Sequence, residues 1–212
     1  MSLGRPVPAS VSSGTEAIGR QLLWVGLGNP EPSQVQHRHN IGFMALDEIV
    51  RRHGFSAWRK RFKGVVAEGV IAGQKVLALK PLTYMNGSGE AVQPAAAFLK
   101  IPPAGITVFH DELDLAPAKV RVKLGGGVAG HNGLRDIQRA LGTPDYWRVR
   151  LGIGHPGHKD RVHGHVLGNF AKVDEPWVTQ LLDAVAEAAP KLAEGRPEDF
   201  MTRVALLTKD TA

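Results

Sequence analysis

Residues 22–54 read LLWVGLGNPEPSQVQHRHNIGFMALDEIVRRHG and combine three structural signals in one stretch. The apolar run at 22–26 predicts a short buried strand. Gly28-Asn29-Pro30 is a turn signal. From residue 40 onward, apolar residues recur at helical spacing until Gly54 supplies a C-terminal stop. The stretch therefore predicts a strand, a loop and an amphipathic helix in succession.

Two polar side chains of this stretch are predicted to lie close together. Asn29 lies where the strand ends, and His39 lies at or just before the first turn of the helix. Both then face the carboxyl edge of a sheet, where open α/β folds place their ligands. His39 is the candidate catalytic base.

The rest of the chain alternates strands and helices. Strands are predicted at 65–71, 75–79, 106–110, 119–123 and 147–153, and the first two form a hairpin through residues 72–74. Further helices are predicted at 88–100, 134–141 and 174–192, with Asn86 or Ser88 as a cap of the first, and with Pro94 kinking it or marking its true start. This order predicts an α/β fold: a single-domain three-layer sandwich with a mixed, twisted sheet and helices on both faces.

Length and composition indicate one globular domain. The 212 residues divide into a Ser-, Gly- and Pro-rich flexible tail at 1–20, a catalytic domain at 21–195 and a C-terminal tail or short helix at 196–212. No apolar run is long enough to span a membrane, and the first twenty residues lack the apolar centre of a signal peptide. Without cysteine there is no disulfide framework. This composition permits a cytosolic setting, and we expect a cytoplasmic protein.

The charge pattern indicates a polyanionic partner. The formal net charge is +6 and the isoelectric point is about 9.8. Basic residues alternate along one predicted strand and recur on another, and a predicted helix adds two more. Together they could form one basic ridge, made of Lys119, Arg121, Lys123, Arg148, Arg150, Arg135 and Arg139. An ordinary solvated face is the alternative interpretation.

Several familiar chemistries are disfavoured by the motifs. Glu31 stands where the dinucleotide-binding fingerprint needs a third glycine, and His131-Asn132 replaces the Lys-Ser/Thr of a phosphate-binding loop. The paired histidines have no HExxH pattern and no cysteine support, so no metal site is expected. No serine lies in a nucleophile elbow. The remaining mechanism is attack by a water molecule that a histidine activates. The residues available for it lie in turns or at the ends of elements: His39, Asp111, Asn29, Asn86 and Asn132.

Six motifs in order closely resemble the bacterial-type peptidyl-tRNA hydrolases. They are GLGNP…RHNIG, KPLTYMNGSG, HDELDL, KLGGGVAGHNGLRD, RVRLGIGHPG and VLGNF, and together they extend over residues 23–170. The resemblance implies hydrolysis of the ester that joins a peptide to the 3′ ribose of tRNA, without metal or small-molecule cofactor. The implied partner is peptidyl-tRNA, contacted at its acceptor stem and 3′ end. We expect a monomer that does not associate with membranes.

The resemblance also implies residue roles. His39 matches the proton acceptor, Asp111 the carboxylate that holds it, and Asn29 the residue that separates blocked from free aminoacyl-tRNA. Asn86 and Asn132 match substrate contacts that order the water. Tyr84 and Met85 match an apolar wall near the terminal adenosine. Lys123 and Arg150 match basic positions that contact tRNA phosphates. Arg121 is added because it lies on the same predicted strand as Lys123.

Three residues depart from the family pattern, and two other functions stay open. Glu31, Gln34 and His37 replace the usual Gly, Tyr and Thr, and they cluster on one predicted wall of the pocket. One alternative is a catalytically inactive RNA-binding protein of splicing type on the same fold. The other is a hydrolase of small esters or N-acyl amino acids, which would not need the basic ridge.

Overall fold

The computed structural model describes residues 21–209, so the predicted N-terminal tail lies outside the described residues. A seven-stranded mixed sheet forms the centre. Its strands are β1 Gln21–Gly26, β2 Arg59–Arg61, β3 Gly64–Ile71, β4 Gln74–Pro81, β5 Ile106–Glu112, β6 Val120–Leu124 and β7 Trp147–Gly152. The helices are α1 Ile41–Arg52, α2 Gly89–Leu99, α3 Asn132–Leu141, α4 Val162–Val166, α5 Glu175–Ala193 and α6 Pro197–Leu207.

The strand order is β2-β3-β4-β1-β5-β7-β6. Strands β4, β1, β5 and β7 run parallel, whereas β3 pairs antiparallel with β4 and β6 pairs antiparallel with β7. The chain leaves β1 toward β4 on one side and later reaches β5 on the other side. This reversal opens a crevice at the carboxyl ends of the parallel strands.

Two hydrophobic clusters lie on opposite faces of the sheet, which confirms the predicted three-layer α/β architecture. One joins the sheet to α1, α5 and α6 through residues such as Phe109, Leu181 and Phe200. The other joins it to α2 and α3 through residues such as Val108 and Ile137. Burial of apolar surface on both faces is the main stabilising contribution.

The start of α1 packs directly against the backbone of the sheet. A Cβ atom on Gly42 would lie 2.3 Å from the carbonyl oxygen of Phe109 and 2.6 Å from the nitrogen of Leu27. Only glycine allows so close an approach. The contact fixes the first turn of α1 against β1 and β5, and thereby fixes the residues just before it.

Some details of the prediction are wrong. Helix α2 begins at Gly89, so Pro94 lies inside the helix as the pattern indicated, and the option that it marks the true start is wrong. Ser88 occupies the cap position without a capping bond from its side chain. Asp136 of α3 accepts from the backbone nitrogen of Gly89 at 2.8 Å instead. The short edge strand β2 was not predicted, because RKR has no apolar alternation to reveal it.

The C-terminal helix α6 packs on the body of the molecule. Phe200 and Val204 are fully buried, at 0% and 1% exposure, and the helix contacts α5 and β6. The division of the chain into 21–195 and 196–212 stays a prediction. Within residues 21–209, none of the helices has both the length and the apolar content to cross a lipid bilayer.

Candidate active site

His39 lies in a single 3-10 turn, Arg38–Asn40, which leads directly into α1. The next residue, Asn40, ties this turn to the loop after β1 by two buried hydrogen bonds. The nitrogen of Asn29 donates to Oδ1 of Asn40 at 2.9 Å, and Nδ2 of Asn40 donates to the carbonyl oxygen of Asn29 at 3.0 Å. Sequence reasoning missed Asn40, which it treated only as the start of a helix.

Asp111 connects His39 to a second imidazole. Its Oδ1 lies 2.8 Å from Nδ1 of His39 and 3.0 Å from Nε2 of His131. His131 caps α3, because its Nδ1 accepts from the nitrogen of Leu134. Nε2 of His131 therefore carries the proton and donates to Asp111. Because the carboxylate can only accept, His39 donates from Nδ1 and keeps the lone pair on Nε2.

The electrostatics of this group favour an ionised Asp111. Burial alone raises the pKa of Asp111, but the charges and hydrogen bonds of His39 and His131 outweigh it, so the pKa lies well below its usual value. Burial lowers the pKa of His39, but the charge and hydrogen bond of Asp111 outweigh burial, so the pKa is raised above 6.5. His39 is thus a stronger base than an isolated histidine.

His110, next to Asp111 in β5, is a neutral histidine. Its Nδ1 lies 2.7 Å from the carbonyl oxygen of Asp111 and donates to it. Burial, followed by the charge of His131, lowers its pKa to about 3. Its ring stacks edge-on against His131 at 5.1 Å between centroids. His110 and His131 were not among the predicted site residues, since a histidine at a strand end or a helix cap carries no distinctive pattern.

The Asn29 side chain is fixed from the neighbouring loop. Its Oδ1 accepts from the nitrogen of Met85 at 2.8 Å, and the bond is buried. This bond assigns the amide orientation, so the NH₂ group of Asn29 is the part available to a substrate. Met85 itself is 5% exposed and packs in the cluster that contains α2 and α3.

A similar bond orients Asn132 at the start of α3. Nη1 of Arg135 donates to Oδ1 of Asn132 at 2.9 Å, so the Asn132 NH₂ group is the available donor. Both side chains are exposed, as is Asn86 in the loop after β4. The predicted amides thus lie at the ends of β1 and β4 and at the start of α3.

One cavity of about 950 Å³ collects almost all of the predicted site residues. Its walls include Asn29, His39, Tyr84, Met85, Asn86, Asp111, Asn132, Lys123 and Arg150, and also the unpredicted His110 and His131. The loop 125–130 and the segment 155–167 complete the rim. The structure therefore brings these residues together around one cavity, and their roles stay a prediction.

The three departures from the family pattern are absent from the residues that line this cavity, so the expectation that they form one of its walls is wrong. The Tyr84 hydroxyl donates to a carboxylate oxygen of Glu31, which links the loops after β1 and β4. His37 forms a β-bridge with Asn169 near the rim. Among the described residues, Oε1 of Gln34 and Nδ1 of His37 are buried without a hydrogen-bond partner. Glu31 thus reaches the cavity only through Tyr84, whose hydroxyl it holds.

The basic residues of the predicted ridge have different environments. Lys123, Arg148 and Arg150 all line the cavity. Arg121 does not line it; it is exposed on β6 and donates to the carbonyl oxygen of Val120 at 2.9 Å. Arg148 is 2% exposed, so the ridge drawn from sequence is wrong at this position. It donates to the carbonyl oxygen of Gly127 at 2.6 Å and its guanidinium lies 4.7 Å from the Tyr146 ring.

A metal-binding arrangement exists only in one place among residues 21–209. Ligand atoms of His39, Asp111 and His131 lie within 4.8 Å of one another. His39 and Asp111 were among the possible ligands considered in the sequence, whereas His131 was not. Both imidazoles already use the same carboxylate oxygen for hydrogen bonds. That network explains their convergence without a metal ion.

Comparison with known proteins agrees with this geometry. The family model described as "Peptidyl-tRNA hydrolase" matches residues 23–211. The chain belongs to the peptidyl-tRNA hydrolase family. Among its relatives in that family, a protein of Acidiphilium cryptum is 73% identical over 90% of this chain and 99% of its own length. One of Granulibacter bethesdensis is 72% identical over 88% of this chain and 96% of its own.

Solved structures of the family share the fold. The crystal structure of peptidyl-tRNA hydrolase from Acinetobacter baumannii has a TM-score of 0.82 at 39% identity, covering 91% of this chain and 97% of that chain. All three relatives carry the name of a hydrolase. The alternative of a catalytically inactive RNA-binding protein therefore gains no support from them.

Proposed function

We propose that this chain hydrolyses the ester bond of peptidyl-tRNA and releases free tRNA and peptide, with His39 as the general base and without a metal ion. The observation that carries the proposal is the bond of 2.8 Å between His39 and Asp111 inside the shared cavity. Family membership supplies the substrate class.

The proposed reaction starts from a water molecule beside Nε2 of His39. This nitrogen takes a proton as the water oxygen attacks the ester carbonyl carbon, and a tetrahedral oxyanion forms. The bond from carbon to the ribose oxygen then breaks, and His39 returns the proton to that oxygen. Asp111 keeps the His39 tautomer fixed and stabilises the imidazolium between the two steps.

The amide groups serve the acyl side of the substrate in this proposal. Neutral NH₂ donors on Asn86 and Asn132 order the water and stabilise the oxyanion without adding charge. Asn29 donates to the peptide amide, which is present in a blocked substrate. A free aminoacyl-tRNA has a cationic α-amino group in its place. Tyr84 and Met85 form the apolar wall for the terminal adenosine.

The RNA side of the substrate is assigned to the basic residues. Lys123 and Arg150 contact phosphates from inside the cavity rim, and Arg121 extends the contact along β6. Double-stranded RNA presents its phosphates and 2′-hydroxyls rather than its base edges, so the recognition is of shape and charge. The proposal includes a monomer that acts in the cytoplasm, where ribosomes produce peptidyl-tRNA.

The decisive experiment measures release of labelled N-acetyl amino acid from tRNA by the wild type and by His39→Ala. The variant should lose about 10²- to 10⁴-fold in rate, the usual contribution of a general base. His163→Ala is the matched control, since His163 also lines the cavity but is exposed and lies outside the Asp111 network. Near-normal release by His39→Ala would remove His39 as the base, and loss of wild-type activity in a chelator would favour a metal.

A further inference from the structure

Arg150, assigned to RNA phosphates above, is held by a carboxylate at the edge of the cavity. Its Nε donates to Oε2 of Glu112 at 2.8 Å. Glu112 is the last residue of β5 and is 7% exposed. The Arg150 side chain is 28% exposed, so the pair has a buried side and an open side.

The carboxylate of Glu112 is fixed at both of its oxygens. While Oε2 accepts from Arg150, Oε1 accepts from the backbone nitrogen of Asp114 at 3.1 Å. Two anchors leave the Glu112 side chain little freedom to follow a mobile partner. Glu112 is therefore suited to impose an orientation on Arg150 rather than to adapt to it.

The contact occupies only one edge of the guanidinium. Arginine presents five N–H groups in a rigid planar fork. Glu112 takes the Nε group, and within residues 21–209 the side chain of Arg150 makes no other hydrogen bond. The two terminal nitrogens stay available side by side, which is the geometry that binds a phosphate through two hydrogen bonds.

The neighbours of Arg150 in the ladder between β6 and β7 are basic. Arg150 lies opposite Arg121 in the ladder between β6 and β7, and Lys123 lies opposite Arg148 in the same ladder. A carboxylate in such a place has an electrostatic cost for a protein that binds RNA, because it repels phosphates. The orientation of Arg150 by Glu112 can compensate for this repulsion between the carboxylate and the phosphates.

We propose that Glu112 is a positioning residue for RNA binding, which holds Arg150 through Nε and so presents both terminal nitrogens to a phosphate of the tRNA. The inference rests on the proposed function, because it takes Arg150 as a phosphate contact. It assigns Glu112 no part in the chemistry of ester hydrolysis.

The proposal predicts an effect opposite in sign to simple electrostatics. Glu112→Ala removes a negative charge from a phosphate-binding surface, which by charge alone strengthens RNA binding. If Glu112 positions Arg150, the same variant weakens binding by about tenfold, the value of one charge-assisted hydrogen bond. Asp114→Asn is the matched control, because Asp114 lines the same cavity and is exposed, whereas the ion-pair partner of Arg150 is Glu112.

The experiment measures the Kd of an RNA hairpin that copies a tRNA acceptor stem with its 5′ phosphate, using the full chain. Glu112→Ala and Glu112→Gln should weaken binding, and Asp114→Asn should leave it unchanged or tighten it. In an Arg150→Ala background, Glu112→Ala should no longer weaken binding. In turnover of N-acetyl-aminoacyl-tRNA, the KM should rise while kcat stays at the wild-type value.

Distinct results separate the two ideas. One result overturns the positioning role and leaves the proposed function in place. In it, the wild type hydrolyses the substrate and Arg150→Ala weakens RNA binding. However, Glu112→Ala tightens RNA binding or changes it equally in the wild-type and Arg150→Ala backgrounds. If the wild type neither hydrolyses the substrate nor binds the hairpin, the proposed function fails as well. Glu112→Gln has a single side-chain oxygen and cannot accept from both the nitrogen of Asp114 and Nε of Arg150, so it breaks the double anchor and tests the role even if Glu112→Ala unfolds.

Discussion

At the scale of single residues, Asp111 shares one oxygen between two imidazoles, and this sharing sets the strength of the proposed base. His131 donates to the same Oδ1 that His39 uses. The second hydrogen bond therefore draws part of the carboxylate's electron density toward His131 and weakens its effect on His39. The sequence could indicate His39 and Asp111 because both follow recognisable motifs. It could not indicate His131, whose role depends on the position of the α3 N-terminus in space.

The pH dependence of kcat/KM should report the pKa of His39. The neutral form is the active one, so activity is present above the pKa of folded His39 and lost as pH falls through it. Because that pKa is raised from 6.5, the acid limb should lie above pH 6.5. Asp111→Asn removes the raising influence, so the limb should move to lower pH while the plateau rate drops by about 10²-fold or more. An unshifted limb in Asp111→Asn would contradict this coupling.

Asn29 offers a test in which the fold and the proposed recognition can be separated. Asn29→Asp keeps an oxygen for the bond from Met85 but loses the NH₂ donor. Asn29→Ala loses both the oxygen that accepts from Met85 and the NH₂ donor. If the donor reads the blocked amide, both variants should narrow the ratio of kcat/KM for N-acetyl-aminoacyl-tRNA over aminoacyl-tRNA, with Asn29→Asp nearer wild type in melting temperature. An unchanged ratio in Asn29→Asp would retire the assignment.

At the scale of elements, hydrophobic periodicity predicted most strands and helices close to their observed bounds. It placed the hairpin of β3 and β4, the strand that carries Asp111 and the helix after His39. It did not predict that Arg148 is buried, because alternation along β7 shows which residues share a face but not what covers that face. The carbonyl of Gly127, from the loop 125–130, reaches that Arg148 side chain.

The contact of α1 with the sheet predicts that Gly42 governs activity from outside the cavity. Gly42→Ala would place a methyl group 2.3 Å from the carbonyl oxygen of Phe109, so the helix start must shift. We expect destabilisation by about 1–3 kcal/mol and a fall in kcat at temperatures where the variant is fully folded. Thermal unfolding and turnover measure the two effects. Gly164→Ala in α4 is the control, since beyond its chain neighbours and its own helix backbone no atom lies within 4 Å of its Cβ position. Wild-type kcat in Gly42→Ala would count against the coupling.

At the scale of the whole molecule, the sheet separates a closed side from an open basic side. Helices α1, α5 and α6 cover one face. On the other face, the basic side chains of β6 and β7 continue outward from the cluster with α2 and α3. The net charge and the sequence pattern predicted this basic side, but its extent depended on which arginines are exposed.

This arrangement predicts a steep dependence of RNA binding on salt. Each phosphate contact contributes about −0.7 to −0.9 to the slope of log K against log salt concentration. Lys123→Ala and Arg150→Ala should each weaken binding of an acceptor-stem hairpin and reduce the slope by about one contact. Lys191→Ala on α5 is the control, because it removes a lysine on the opposite face. A flat salt response of the wild type would contradict RNA recognition through phosphates.

Because His131 caps α3, fraying of the start of that helix also disturbs the catalytic network. The amide proton of Leu134 is held by the same ring that donates to Asp111. Any fraying of that helix end releases the ring, and the carboxylate then acts on His39 alone. Hydrogen exchange at this single amide is thus a reporter of the integrity of the catalytic network, visible before any global unfolding begins.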